Sequence, residues 1–162
     1  MAKDRHWRDV FRVASGEVWG SSYDHPDREA RLRTDVPADI VLVLFDHDDP
    51  AFGRWTATGR AAVVRRVFWP KLATPPEPAA LSAYLKEIRA TLRDGGRAEV
   101  ICFGGHGRTG TALASLAACD GEPPAVAIAR VRRDYCDRAI STPELADVVA
   151  VTAGPPVTET VR

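Results

Sequence analysis

The stretch Val100-Ile-Cys-Phe-Gly-Gly-His-Gly-Arg-Thr-Gly-Thr111 constrains the fold of this chain more than any other. A short apolar run, residues 98–102, reads as a buried strand ending in Cys102. Gly104, Gly105 and Gly107 then allow the backbone to curl through conformations closed to other residues. Behind them, residues 108–119 read as an apolar helix. A buried strand leading straight into a buried helix needs strands beside it and helices over it, so the rest of the chain must supply an α/β sheet.

The remaining segments fit that demand. Residues 10–14 and 17–21 flank Ser15-Gly16 as a β-hairpin, and 40–45 (IVLVLF) is the continuous apolar run of a buried parallel strand. Residues 61–69 form another strand, ended by Pro70, while 22–37, 46–50 and the proline-rich 72–78 read as loops. Residues 78–92 form a helix with Leu81, Leu85, Ile88 and Leu92 on one face, stopped at Asp94-Gly95-Gly96. Residues 124–135 and 142–151 form two more, the second with Thr142 as N-cap and Pro143 at the first helical position. The expectation is one α/β domain over residues 1–152, a central mainly parallel sheet flanked by helices, with 153–162 as a flexible tail. At 162 residues the chain can bury about 70% of its unfolded surface, so it needs no staple.

Composition narrows the partners. Twenty-two basic residues balance 22 acidic ones, which argues against a generally basic nucleic-acid binder. No apolar run approaches the ~20 residues of a membrane span, and the charged N-terminus lacks a signal-peptide core. The three cysteines form no CxxC pair and no zinc spacing with histidine, and an odd number of them suits a reducing compartment. The chain therefore reads as a soluble cytoplasmic protein with no implied metal or cofactor; its oligomeric state is not encoded in any recognisable feature.

The glycine turn is where chemistry concentrates. Its backbone amides can converge on one point as an anion nest, and the helix opening at Arg108 aims its positive end at the same point. Arg108 adds a planar fork matching two phosphoryl oxygens. Cys102 lies at the bottom of this bowl, which favours its thiolate and places it for in-line attack on a bound phosphate. Phe103, Gly104, Gly105, His106, Gly107 and Arg108 are the expected phosphate-binding residues. Cys102, Arg108 and Thr109 are the expected catalytic ones, the Thr109 hydroxyl bonding the sulfur as it leaves.

Residues 102–110 resemble the signature loop C-x-x-G-x-G-R-T-G of the cysteine-dependent protein-tyrosine and dual-specificity phosphatases. Residues 125–148 are similar to the segment that follows this loop in compact bacterial and dual-specificity members, and Trp69-Pro70-Lys71 resembles the Trp-Pro-Asp acid loop. The resemblance spans residues 63–149 and leaves the first 60 residues unmatched. It implies hydrolysis of a phosphate monoester through a phosphocysteine on Cys102. Three departures stand out: Lys71 where the family has its acidic Asp, Ile101 where a His precedes the nucleophile, and Leu145 where a Gln often orients water.

Two functions therefore stay open. One is a phosphatase acting on a phosphorylated protein or a small anionic phosphometabolite. The other is a pseudophosphatase, binding phosphorylated ligands with little turnover. Redirection of the thiol to chemistry on a small anionic metabolite is a third route. For the missing acid, Asp46, Asp48, Asp49, Glu77 and His106 are the substitutes, set against plainer roles as solvated turn or loop side chains. Trp69 reads as packing, Arg130, Arg132 and Arg133 as a solvated helix face, and Cys119 and Cys136 as structural thiols.

Overall fold

The computed structural model describes residues 5–49 and 61–154. The hairpin is β1 (Asp9–Val13) and β2 (Gly16–Ser22), followed by α1 (Arg28–Thr34), β3 (Ile40–Phe45) and β4 (Val63–Phe68). Next come α2 (Pro78–Arg93), β5 (Ala98–Cys102), α3 (Gly107–Cys119), α4 (Pro124–Asp134) and α5 (Pro143–Ala153). The five strands form one sheet in the order β1-β2-β5-β3-β4. Only the β1–β2 pair is antiparallel; β5 lies in parallel register between β2 and β3, Val100 opposite Gly20 and Leu42. Cys102 thus emerges at the carboxyl end of the central strand, where open α/β sheets place their sites.

Alternation along β3 and β5 divides the core. Ile40, Leu42, Leu44, Val100 and Cys102 face a large cluster that includes Leu81, Leu85, Ile88 and Leu92, the predicted face of α2. At ~1.5–3 kcal/mol for each buried side chain, that face is what holds α2 to the sheet. Val41, Val43 and Ile101 face the other way, into a smaller cluster with Tyr23 and Phe103. Glu99 points to the same second face and is wholly buried between two arginines: Arg8 Nε at 2.9 Å and both Arg28 terminal nitrogens at 3.1 Å.

That ion cluster explains α1, which lies inside the stretch expected to be a loop. The helix buries Arg28 rather than an apolar stripe, so it leaves no hydrophobic period to read. Elsewhere the expected elements stand within a residue or two, and the Thr142 side chain accepts from Leu145 N as a cap should. Of the tail expected over 153–162, Ala153 instead closes α5 and Gly154 caps it, while residues 155–162 lie outside the described residues. No helix among the described residues is long and apolar enough to cross a membrane.

Candidate active site

Strand β5 delivers Cys102 into the turn, and neighbouring elements hold the turn's carbonyls from outside. Cys102 O accepts from Tyr23 N at 3.0 Å, Phe103 O from the Ser22 hydroxyl, and Gly105 O from the Tyr135 hydroxyl at 2.6 Å. In a planar trans peptide the N–H points opposite its carbonyl. The amides of Phe103, Gly104 and His106 therefore turn to the inner side. Burial keeps the Tyr135 phenol pKa well above its ordinary value, so it stays a donor. Two glycines make this packing fit. Gly105 has φ +75° and lies so close to the Ser21 backbone that a β-carbon would sit 3.0 Å from it. At Gly20 a β-carbon would strike the Tyr135 ring at 2.4 Å.

Helix α3 begins at Gly107 and is buried from Arg108 to Ala118. Arg108 Nη1 and Nη2 each lie 2.9 Å from an oxygen of Asp49, and Nη1 also donates to Trp69 O at 3.1 Å. These bonds use three of the five N–H donors of the guanidinium. The end-on fork of Arg108 is thus taken by a carboxylate. Among the described residues nothing accepts from the side-on edge, Nε–H with the second Nη2–H. Asp49 also accepts from the Tyr23 hydroxyl at 2.7 Å and from Asp46 N at 3.0 Å. Burial alone would raise the Asp49 carboxyl; the bonds from Arg108 and Tyr23 win and hold it below the usual range. Burial and the bond to Asp49 push the Tyr23 phenol far up, so it remains a donor. For Arg108, burial works against the charge, but Cys102 and Asp49 more than offset it.

The turn opens on a cavity of about 380 Å³ lined by Cys102, Phe103, Gly104, His106, Gly107 and Arg108, with Lys71, Leu72, Leu145, Arg5, Arg138 and Ser141 around them. The structure therefore brings Lys71 and Leu145 to the cavity together with Cys102. Among the described residues no Asp or Glu lines it. Of the five substitute acids, only His106 does. Asp46 instead accepts from Lys71 N at 3.3 Å and from Asp48 N at 3.2 Å, while Asp49 backs Arg108. Glu77 lies in a separate cleft with Arg66, Phe68 and Tyr84.

Thr109 stands in the first turn of α3. Its hydroxyl is buried with no hydrogen-bond partner among the described residues, so it does not bond the Cys102 sulfur here. Trp69 is packing, as read: it is fully buried and its indole N–H donates to Ala73 O at 2.6 Å, pinning the loop that carries Lys71. Arg5, Arg138 and Ser141 escaped the sequence reading. The arginines are two of nineteen with no motif around them, and Ser141 carries only its place before the α5 cap.

No family model matches the chain, and no curated protein sequence matches it. Solved structures do match. Tk-PTP in its active form is similar over 94% of this chain and 98% of its own, with a TM-score of 0.65 at 23% identity. PTPMT1 covers 90% of this chain and 94% of its own, at a TM-score of 0.66 and 16% identity. Human DUSP28 covers 94% and 95%, with 0.63 and 16%. The fold is that of the protein-tyrosine and dual-specificity phosphatases, as the signature loop implied.

Proposed function

We propose that this chain is a cysteine-dependent phosphatase acting on a strongly anionic phosphate monoester. The observation that carries the reading is Cys102 at the floor of an amide-lined turn, beside an Arg108 whose end-on fork is anchored by Asp49 and whose side-on fork remains for phosphate. In the first step the Cys102 thiolate attacks phosphorus, the bond to the ester oxygen breaks, and that oxygen takes up a proton. In the second, water attacks phosphorus, the sulfur–phosphorus bond breaks, and phosphate leaves with the thiolate restored. Arg108 and the turn amides stabilise the transferring phosphoryl group in both steps. The buried Thr109 hydroxyl supports the second step, as a donor that gains a partner when charge returns to the sulfur.

The wall favours a substrate with more than one negative charge. Arg5, Lys71 and Arg138 join Arg108 around the cavity, and Leu72, exposed at 56%, adds an apolar lip. A phosphoprotein segment with acidic neighbours or a small phosphometabolite meets that description. Among the structural neighbours, PTPMT1 has been solved in complex with PI(5)P. The cytoplasm is the compartment we assign, from the sequence reading alone.

Lys71 decides between turnover and mere binding. An ammonium is a poorer general acid than the carboxyl of the family's Asp, so activated aryl phosphates should react far better than alkyl ones. Lys71→Asp should raise the alkyl rate selectively, general acid help being worth ~10²–10⁴-fold. If both proteins bind phosphate and neither hydrolyses any ester, the chain is a pseudophosphatase. If the wild type cleaves alkyl phosphates well, His106 becomes the acid to mutate.

A further inference from the structure

Three side chains from separate stretches meet on the far side of the glycine turn. His6 precedes β1, His106 sits in the turn and Cys136 follows α4; one nitrogen of each ring and the sulfur all lie within 4.8 Å of one another. His106 Nδ1 is 3.3 Å from Cys136 Sγ. Nitrogen and sulfur bonded to one tetrahedral zinc, at ~2.05 and ~2.3 Å, stand ~3.5 Å apart. That pair is already at ligand spacing, and the third ligand needs a closing movement of at most about 1.5 Å by the same bond lengths.

The surroundings of His6 are those of a held ligand. Its Nδ1 lies 2.6 Å from Asp9 Oδ2, and its ring stacks on Tyr135 with centroids 4.5 Å apart. A carboxylate on one ring nitrogen fixes the tautomer and leaves a lone pair on the other, the arrangement that orients metal-binding histidines. That other nitrogen, Nε2, is sealed from solvent, and His6 and Cys136 are only 2% and 7% exposed. The His6 and His106 rings meet edge to face at 4.9 Å.

We propose that His6, His106 and Cys136 form a zinc site, with water in the fourth position. Two imidazoles and a thiolate suit zinc and not magnesium or calcium, which take oxygen ligands. No zinc spacing exists in the sequence because the three ligands come together only when the N-terminal segment, the turn and the end of α4 pack. The site also reaches the phosphate cavity through one ring. His106 Nδ1 faces Cys136, while its other edge lies against Gly104 on the side of Arg5. Metal on Nδ1 leaves the proton on Nε2, so zinc would fix His106 as a donor at the cavity wall and tie the turn to β1 and α4.

The test uses the full chain carrying Cys102→Ser, so that the nucleophile cannot serve as a ligand. Calorimetric titration with Zn²⁺ should show one equivalent bound. Titration with Co²⁺ should give the absorption of a thiolate–cobalt bond, and adding Cys136→Ser should abolish it. Asp9→Asn, which keeps every ligand, should weaken zinc binding ~10–100-fold. His106→Gln should weaken it further, and melting curves establish that each variant is folded. The proposal is overturned if Cys102→Ser protein binds neither ion, if the cobalt band survives Cys136→Ser, or if Asp9→Asn and His106→Gln bind as tightly as the parent.

Discussion

Replacing Asp49 by Asn changes one atom and removes the anchor of Arg108. The carboxylate accepts from Arg108 twice, from the Tyr23 hydroxyl and from Asp46 N. An amide can offer only one oxygen, and its NH₂ would face a guanidinium donor. The side chains of Arg108 and Asp49 are 6% and 3% exposed, so solvent cannot take over the lost partner. Leaving one member of a buried pair uncompensated costs ~3–5 kcal/mol. For a chain of this length that lowers Tm by roughly 6–20 °C. The sign with pH is fixed by the depressed Asp49 carboxyl. Its stabilisation is present above the unfolded value near ~3.9 and fades as pH falls through the folded value. The gap between wild type and Asp49→Asn should therefore be constant near neutral pH and close in acid. A bound anion would partly replace the missing charge, so saturating sulfate should raise Tm more in Asp49→Asn than in wild type. Scanning calorimetry between pH 3 and 7, with and without sulfate, reads all of this. A variant that melts within about 2 °C of wild type, a shift worth under ~1 kcal/mol, with an equal sulfate response, refutes the anchoring argument.

Glu99→Gln should cost ~3–5 kcal/mol in urea unfolding, because Arg8 and Arg28 lose the buried charge between them; a change under ~1 kcal/mol would deny that this cluster holds α1. Gly105→Ala should cost ~2–4 kcal/mol and weaken tungstate binding, since φ +75° and the Ser21 backbone at 3.0 Å leave a β-carbon no room. Tyr135→Phe should cost ~1–3 kcal/mol by stranding the Gly105 carbonyl, and the loss should be visible as faster amide exchange in the turn. Arg108→Ala should abolish most phosphate or vanadate binding by calorimetry, on the scale of ~2–5 kcal/mol for a buried charge pair.

How far the sequence was legible depends on what kind of force holds each part. The strands β3 and β5 and the helix α2 announce themselves because apolar burial leaves a period in the chain. The turn is legible because glycine, cysteine and arginine at fixed spacing serve a chemical purpose. Lys71 and Leu145 were expected at the site and reach its cavity. Helix α1 was invisible because its anchor is an ion pair between residues 71 positions apart. The partner of Arg108 was equally hidden. Asp49 stood among several loop carboxylates, and only the fold selects it, by bringing the end of β3 across to α3. Arg5, Arg138 and the His6–His106–Cys136 cluster share that character: tertiary contacts assemble them from residue types that carry no local signal.

In the proposed reaction Cys102 takes the phosphoryl group before water does. Rapid quenching of the wild-type chain with an activated aryl phosphate, followed by peptide mass spectrometry, tests it directly. One added phosphoryl group should appear on the peptide containing Cys102, accumulating in a burst that matches aryl alcohol release and absent from Cys102→Ser. Steady hydrolysis with no phosphorylated cysteine, or undiminished turnover by Cys102→Ser, would contradict it.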